Sequence, residues 1–222
     1  MPEDLIYRPD RGLDRSQIGD LLTCEWIARR QNLVLTGSTG TGKTWIACAL
    51  GMQAARSGRS VLYHRASLLL EALEIAHADG SISRLRGLLA KAELLIIDDF
   101  GLTPLTARSK SDLLELLDAR LGTGSTVVAG QLPIKSWHDF IADPALADAI
   151  LDRLIHSAHK VQLKGESMRK FTTRGSRSLS LVLHALLLTL ALVNTLALRG
   201  QLAGGSWSAT QRIVVNTLVG CG

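Results

Sequence analysis

Gly37-Ser38-Thr39-Gly40-Thr41-Gly42-Lys43-Thr44 is the stretch on which the reading of this 222-residue chain turns. It matches the pattern G-x-x-x-x-G-K-[S/T], follows the apolar run Leu33–Thr36 and precedes a helical pattern, Thr44–Arg56. That strand–loop–helix setting is the one a phosphate-binding loop requires. Its glycines let the backbone curl until successive N–H groups face one phosphate, and the helix N-terminus adds a favourable dipole. Lys43 is placed to meet the β- and γ-phosphates, and the Thr44 hydroxyl to ligate Mg²⁺. All eight residues are therefore predicted to hold a nucleotide, with ATP and Mg²⁺ as cofactors.

Working outward, Leu94-Leu95-Ile96-Ile97 runs into Asp98-Asp99. A four-residue apolar strand delivers a carboxylate to the C-terminal edge of a sheet, where open α/β folds bind ligands. Asp98 is read as the acid that holds Mg²⁺ together with Thr44. Asp99 is read as the group that orients or deprotonates the attacking water. Two more polar groups sit at strand and helix ends. Gln131 follows the run Ser125–Gly130 and is either a hydrogen-bonding group for the γ-phosphate or a loop residue before Pro133. Arg153 closes a helical run and is either a finger for a neighbouring subunit's phosphoryl group or a helix-end arginine serving the dipole, Asp152 or Asp148.

The rest of residues 30–163 alternates short β-rich runs with helical patterns, which predicts an α/β protein with a parallel sheet. The strands expected are Leu33–Thr36, Ser60–Tyr63, Leu94–Ile97, Ser125–Ala129 and Lys160–Leu163. The helices expected between them are Thr44–Arg56, Ser67–His77, Ile82–Ala92, Lys110–Leu121 and Ala145–His156. Asp143-Pro144 supplies an N-cap and a first-turn proline to the last of these.

Composition removes several function classes. Hydrophobic residues make up 46% of the chain, too many for a disordered segment. Three cysteines, odd in number and far apart, exclude a disulfide scaffold. The first residues, Met-Pro-Glu-Asp, lack the basic and apolar regions of a signal peptide, so a cytoplasmic protein is expected. No histidine has metal spacing with Cys or carboxylates, and aromatics are not interleaved with basic residues as in a base-stacking platform. The sequence pI near 9.4 belongs to one end of the chain. Residues 1–166 hold 19 basic and 20 acidic groups, whereas 167–222 hold six basic groups and no acid. Within that end, Leu179–Leu198 is a 20-residue stretch with 15 apolar positions and no charge. Three readings stand for it: a non-native extension, a membrane anchor, or a helix packed on the domain.

Taken in order, these motifs resemble the IstB-like ATP-binding proteins, AAA+ helpers of a transposase related to the DnaC helicase loader and the DnaA initiator. The resemblance runs from about Tyr7 to Lys170. Besides the phosphate loop and Leu94–Asp99, it rests on Arg11-Gly-Leu-Asp-Arg15, Trp26-Ile27, Gln131-Leu-Pro133, Trp137-His138, Leu146–Leu154 and Lys164–Lys170. It implies a three-layer P-loop fold of AAA+ type, with a five-stranded parallel sheet whose sensor strand lies between the two Walker strands. It also implies ATP hydrolysis, a homo-oligomer assembling on DNA, and delivery of target sites to the transposase of an insertion sequence. Gln131 matches the first sensor, Arg153 the arginine finger, and Arg169 a second arginine that senses the γ-phosphate. The division expected is a linker at 1–30, the ATPase at 31–170 and an atypical apolar and basic tail at 171–222. Family members carry a helical region ahead of the Tyr7–Arg15 stretch, and the family pattern stops after Lys170. The alternatives are a helicase loader of the DnaC kind and a nucleotide-binding remnant that does not assemble.

Overall fold

The computed structural model describes residues 12–165 and Ser167. Arg169 and the 171–222 tail, with its three readings, lie outside the described residues. In chain order the elements are α1 (Arg15–Leu22), α2 (Glu25–Ala28), β1 (Leu33–Gly37), α3 (Lys43–Arg56), β2 (Val61–Arg65), α4 (Ala66–Ala78), α5 (Ile82–Lys91) and β3 (Leu94–Phe100). They continue with α6 (Ala107–Arg120), β4 (Ser125–Gly130), a 3-10 turn (Ile134–Ser136), α7 (Trp137–Ile141), α8 (Pro144–Ile155) and β5 (His159–Leu163).

The five strands form one parallel sheet in the order β2-β3-β4-β1-β5. β4 therefore lies between β1 and β3, the arrangement that the resemblance implied. The strands read as nearly unbroken apolar runs because both faces are covered. Successive side chains of a strand point to opposite faces, and each face has its own core. Leu33, Leu35, Tyr63, Leu94, Ile96 and Val127 pack with α1, α2 and α3. Val34, Leu62, Leu95, Ile97 and Val128 pack with α4 to α8 on the other side. Helices, sheet and helices make three layers.

Element ends follow local chemistry. Asp143 accepts the Leu146 N–H and Pro144 opens α8, as its sequence predicts. α6 begins three residues earlier than its apolar pattern suggests, because Thr106 accepts the Ser109 N–H and caps it. The described part of the expected linker, residues 12–30, is helical and packed. Asp14 caps α1 by accepting the Ser16 N–H, and Ile18, Leu21, Trp26 and Ile27 are buried in the first core. Trp26 and Trp137 each satisfy the indole N–H on a carbonyl five residues back, Leu21 at 2.9 Å and Leu132 at 3.0 Å.

Two polar side chains fasten the N-terminal edge of the sheet. Asn32 donates to the Arg153 carbonyl at 2.8 Å and accepts the Thr126 N–H at 2.9 Å, tying β1, β4 and the end of α8. Arg120, 2% exposed, donates to the carbonyls of Leu89, Ala92 and Ser125 and to the Thr126 hydroxyl. Burial lowers its guanidinium to about 10. A Cβ at Gly124 would lie 2.8 Å from this guanidinium, so the turn before β4 must be glycine.

Candidate nucleotide-binding site

The phosphate loop leaves the C-terminal end of β1 and enters α3. Its three glycines all have φ in the left-handed range, at 148°, 79° and 92° for Gly37, Gly40 and Gly42. A Cβ at Gly37 would fall 2.4 Å from the Leu163 carbonyl oxygen of β5, and one at Gly40 2.1 Å from Ser167 Oγ. Both glycines are fixed by close approach as well as by φ. Gly42 occupies the cap of α3, and among the described residues no side chain caps this helix. Its first-turn N–H groups are the kind that an anion satisfies. Ser38, Thr39 and Thr44 are exposed at the rim, and Thr41 is buried with its hydroxyl donating to the Ser38 carbonyl at 2.8 Å.

Lys43 folds back on its own loop, donating to the carbonyls of Gly37 at 2.7 Å and Ser38 at 2.8 Å. Burial lowers its pKa, and the carboxylates of Asp98 and Asp99 pull in the opposite direction. The sheet order sets the C-terminal ends of β1 and β3 at one edge, on either side of β4. Asp98 is 1% exposed. Its Oδ1 accepts the Asp99 N–H at 2.9 Å and its Oδ2 accepts the Tyr63 hydroxyl at 2.7 Å. Burial and the adjacent carboxylate push the Tyr63 phenol well above its ordinary value. Asp99 has φ of 57°, at an irregularity between Ile97 and Phe100 in the pairing of β3 with β4. It faces Arg65 of β2 in an ion pair at 3.5 Å.

Gln131 follows the last residue of β4 and so emerges between the ends of β1 and β3. Glycine is required just before it, since a Cβ at Gly130 would meet the Phe100 carbonyl at 2.5 Å. Loop, Asp98, Asp99 and Gln131 thus share one edge of the sheet. Arg153 does not. The Asn32 bridge holds it at the opposite, N-terminal edge, where it pairs with Asp118 and donates to the Ala149 carbonyl at 2.9 Å. Tyr63 and Arg65 are the site residues that sequence spacing missed. The available signal was faint: polar side chains closing the short strand Val-Leu-Tyr-His-Arg.

A parallel sheet with β4 inserted between the strand that carries the glycine loop and the strand that carries the buried acid, with a helix starting directly behind that loop, defines the AAA+ P-loop fold. The sequence profile of the IstB-like ATP binding proteins matches residues 2–176, and the chain belongs to that family. A Sinorhizobium fredii protein, y4pL, named for an insertion sequence and for ATP binding, is 48% identical over 176 residues, covering 79% of this chain and 72% of its own. Among solved structures, DnaI superposes with a TM-score of 0.64 at 19% identity, over 73% of this chain and 89% of that one. AMPPCP-bound DnaA from Aquifex aeolicus gives 0.63 at 19% identity, over 76% of this chain and about half of DnaA, 51%. At such identities the two structures speak to the fold.

Proposed function

We propose that this protein is a Mg²⁺-dependent ATPase that assembles on DNA as an ATP-dependent homo-oligomer and delivers target sites to the transposase of an insertion sequence. The observation that carries the chemical half is that the glycine loop with Lys43 and the strand bearing Asp98 and Asp99 reach the same edge of the sheet, beside the N-terminus of α3. Membership of the family, with a relative named for an insertion sequence, supports the biological half.

The donors fit the metal: the Thr44 hydroxyl and the Asp98 carboxylate are hard oxygen ligands of the kind Mg²⁺ takes. When bound, Mg²⁺ offsets charge on the β- and γ-phosphate oxygens. Lys43 leaves the Gly37 and Ser38 carbonyls to meet the same phosphates, so ATP exchanges one set of acceptors for a more strongly charged one. Residues Gly37 to Thr44 cradle the phosphates. Asp99 orients the attacking water and takes its proton, and Gln131 hydrogen-bonds the γ-phosphate or that water. Arg153 serves a neighbouring subunit, and Arg169 reads the γ-phosphate.

Phosphate release under steady state, with and without duplex DNA, tests this reading. Wild type is expected to turn over ATP only with Mg²⁺ and faster on DNA, and Lys43→Ala to lose measurable turnover and bind nucleotide weakly. Wild-type turnover in Lys43→Ala would sink the assignment.

A further inference from the structure

Tyr63 lies on the edge strand β2 opposite Ile96, so Asp98, two residues further along β3, is its diagonal neighbour on the same face. Diagonal partners are within reach of an aromatic side chain. The phenol uses that reach to place its hydroxyl 2.7 Å from Asp98 Oδ2 while its ring stays in the core, 9% exposed. A carboxylate offers about four lone-pair directions. The Asp99 N–H takes one on Oδ1 and Tyr63 one on Oδ2, leaving one further direction on each oxygen.

We propose that Tyr63 is a positioning residue for the divalent cation, fixing the rotation of the Asp98 carboxylate so that its two remaining lone pairs face the metal and its water shell. The donor is neutral, and that matters. A lysine or arginine at this position would cancel the charge that attracts the cation, whereas a phenol orients the carboxylate and leaves its charge intact. Arg65, the next residue of β2 on this face, pairs instead with Asp99, so one edge strand restrains both acids by different means. The inference rests on the proposed Mg²⁺-nucleotide site.

The experiment titrates Mg²⁺ against binding of a fluorescent ATP analogue to the full chain. Tyr63→Phe keeps the ring and deletes the donor. It is expected to need roughly tenfold or more Mg²⁺ for half of the metal-dependent tightening, the usual scale for losing a partner of a metal-ligating carboxylate. Its affinity without metal should equal wild type. In an Asp98→Asn background the same substitution should change nothing further. Equal Mg²⁺ requirements in wild type and Tyr63→Phe, or an equal loss with and without metal, would overturn the inference. A second measurement avoids dependence on how the variant folds. The chain has two tyrosines, so uniform 3-fluorotyrosine labelling gives two fluorine resonances. The Tyr63 signal should move when Mg²⁺ joins the bound nucleotide in wild type and stay fixed in Asp98→Asn; a still signal in wild type counts against the role. If wild type binds nucleotide no tighter with Mg²⁺ than without, the magnesium reading itself falls and takes this inference with it. A wild-type response matched by Tyr63→Phe removes the inference alone.

Discussion

His64 shows how much one buried side chain can tie the fold to pH. It is 4% exposed on β2, and its Nε2 has no hydrogen-bond partner among the described residues. Burial lowers its pKa from 6.5 to about 4. The unfolded chain therefore binds a proton that the folded chain refuses between those values. Stability is full above pH 6.5 and drains as pH falls towards 4. Wild type should lose about 2 kcal/mol between pH 7.5 and pH 5 through this group. Urea melts at the two pH values check this: His64→Met should lack that part of the loss, and an identical loss in both proteins would acquit the histidine. At this scale the sequence was legible where chemistry repeats a fixed local pattern. Lys43 and Asp98 announce themselves by their neighbours. Tyr63 does not, because its partner lies 35 residues away and only strand register brings them together.

The helices and strands were easy to place where burial is two-sided, since β1, β3 and β4 are each built on a short apolar run, and harder where an element is short or caps a corner. α7 has five residues and α2 four, too few to display a helical period, although Trp137 and Trp26 anchor them in the core. Arg120 was equally illegible. A charged residue ending a helix reads as solvated, yet here it joins α5, α6 and β4 through backbone carbonyls that lie together only after folding. Arg120→Met should destabilise the domain by about 3–5 kcal/mol, because the carbonyls it serves lose a charged donor in a dry site. Chemical denaturation measures that difference directly. A loss below about 1 kcal/mol, within the range of an ordinary surface change, would show that water replaces the guanidinium.

For the molecule as a whole, the decisive geometry is that Arg153 and the phosphate loop sit at opposite edges of one sheet. A five-residue strand separates them by roughly 17 Å, so Arg153 cannot serve its own loop. If it acts on a neighbour, Arg153→Ala should bind ATP normally and hydrolyse it about a thousandfold more slowly. Mixed with Lys43→Ala subunits it should regain part of the activity that neither has alone, as phosphate release would report. Full activity of Arg153→Ala at every protein concentration would refute the role. The same sheet order has a consequence on the ribosome. β1 is translated early, yet neither of its neighbours exists until β4 and β5 emerge; the Asn32–Thr126 bond alone spans 94 residues. At 5–20 residues per second, the apolar strand that carries the nucleotide loop waits roughly 5–20 s before it has anything to pair with. During that interval its backbone N–H and C=O groups lack strand partners, which is the state in which nascent chains associate with one another.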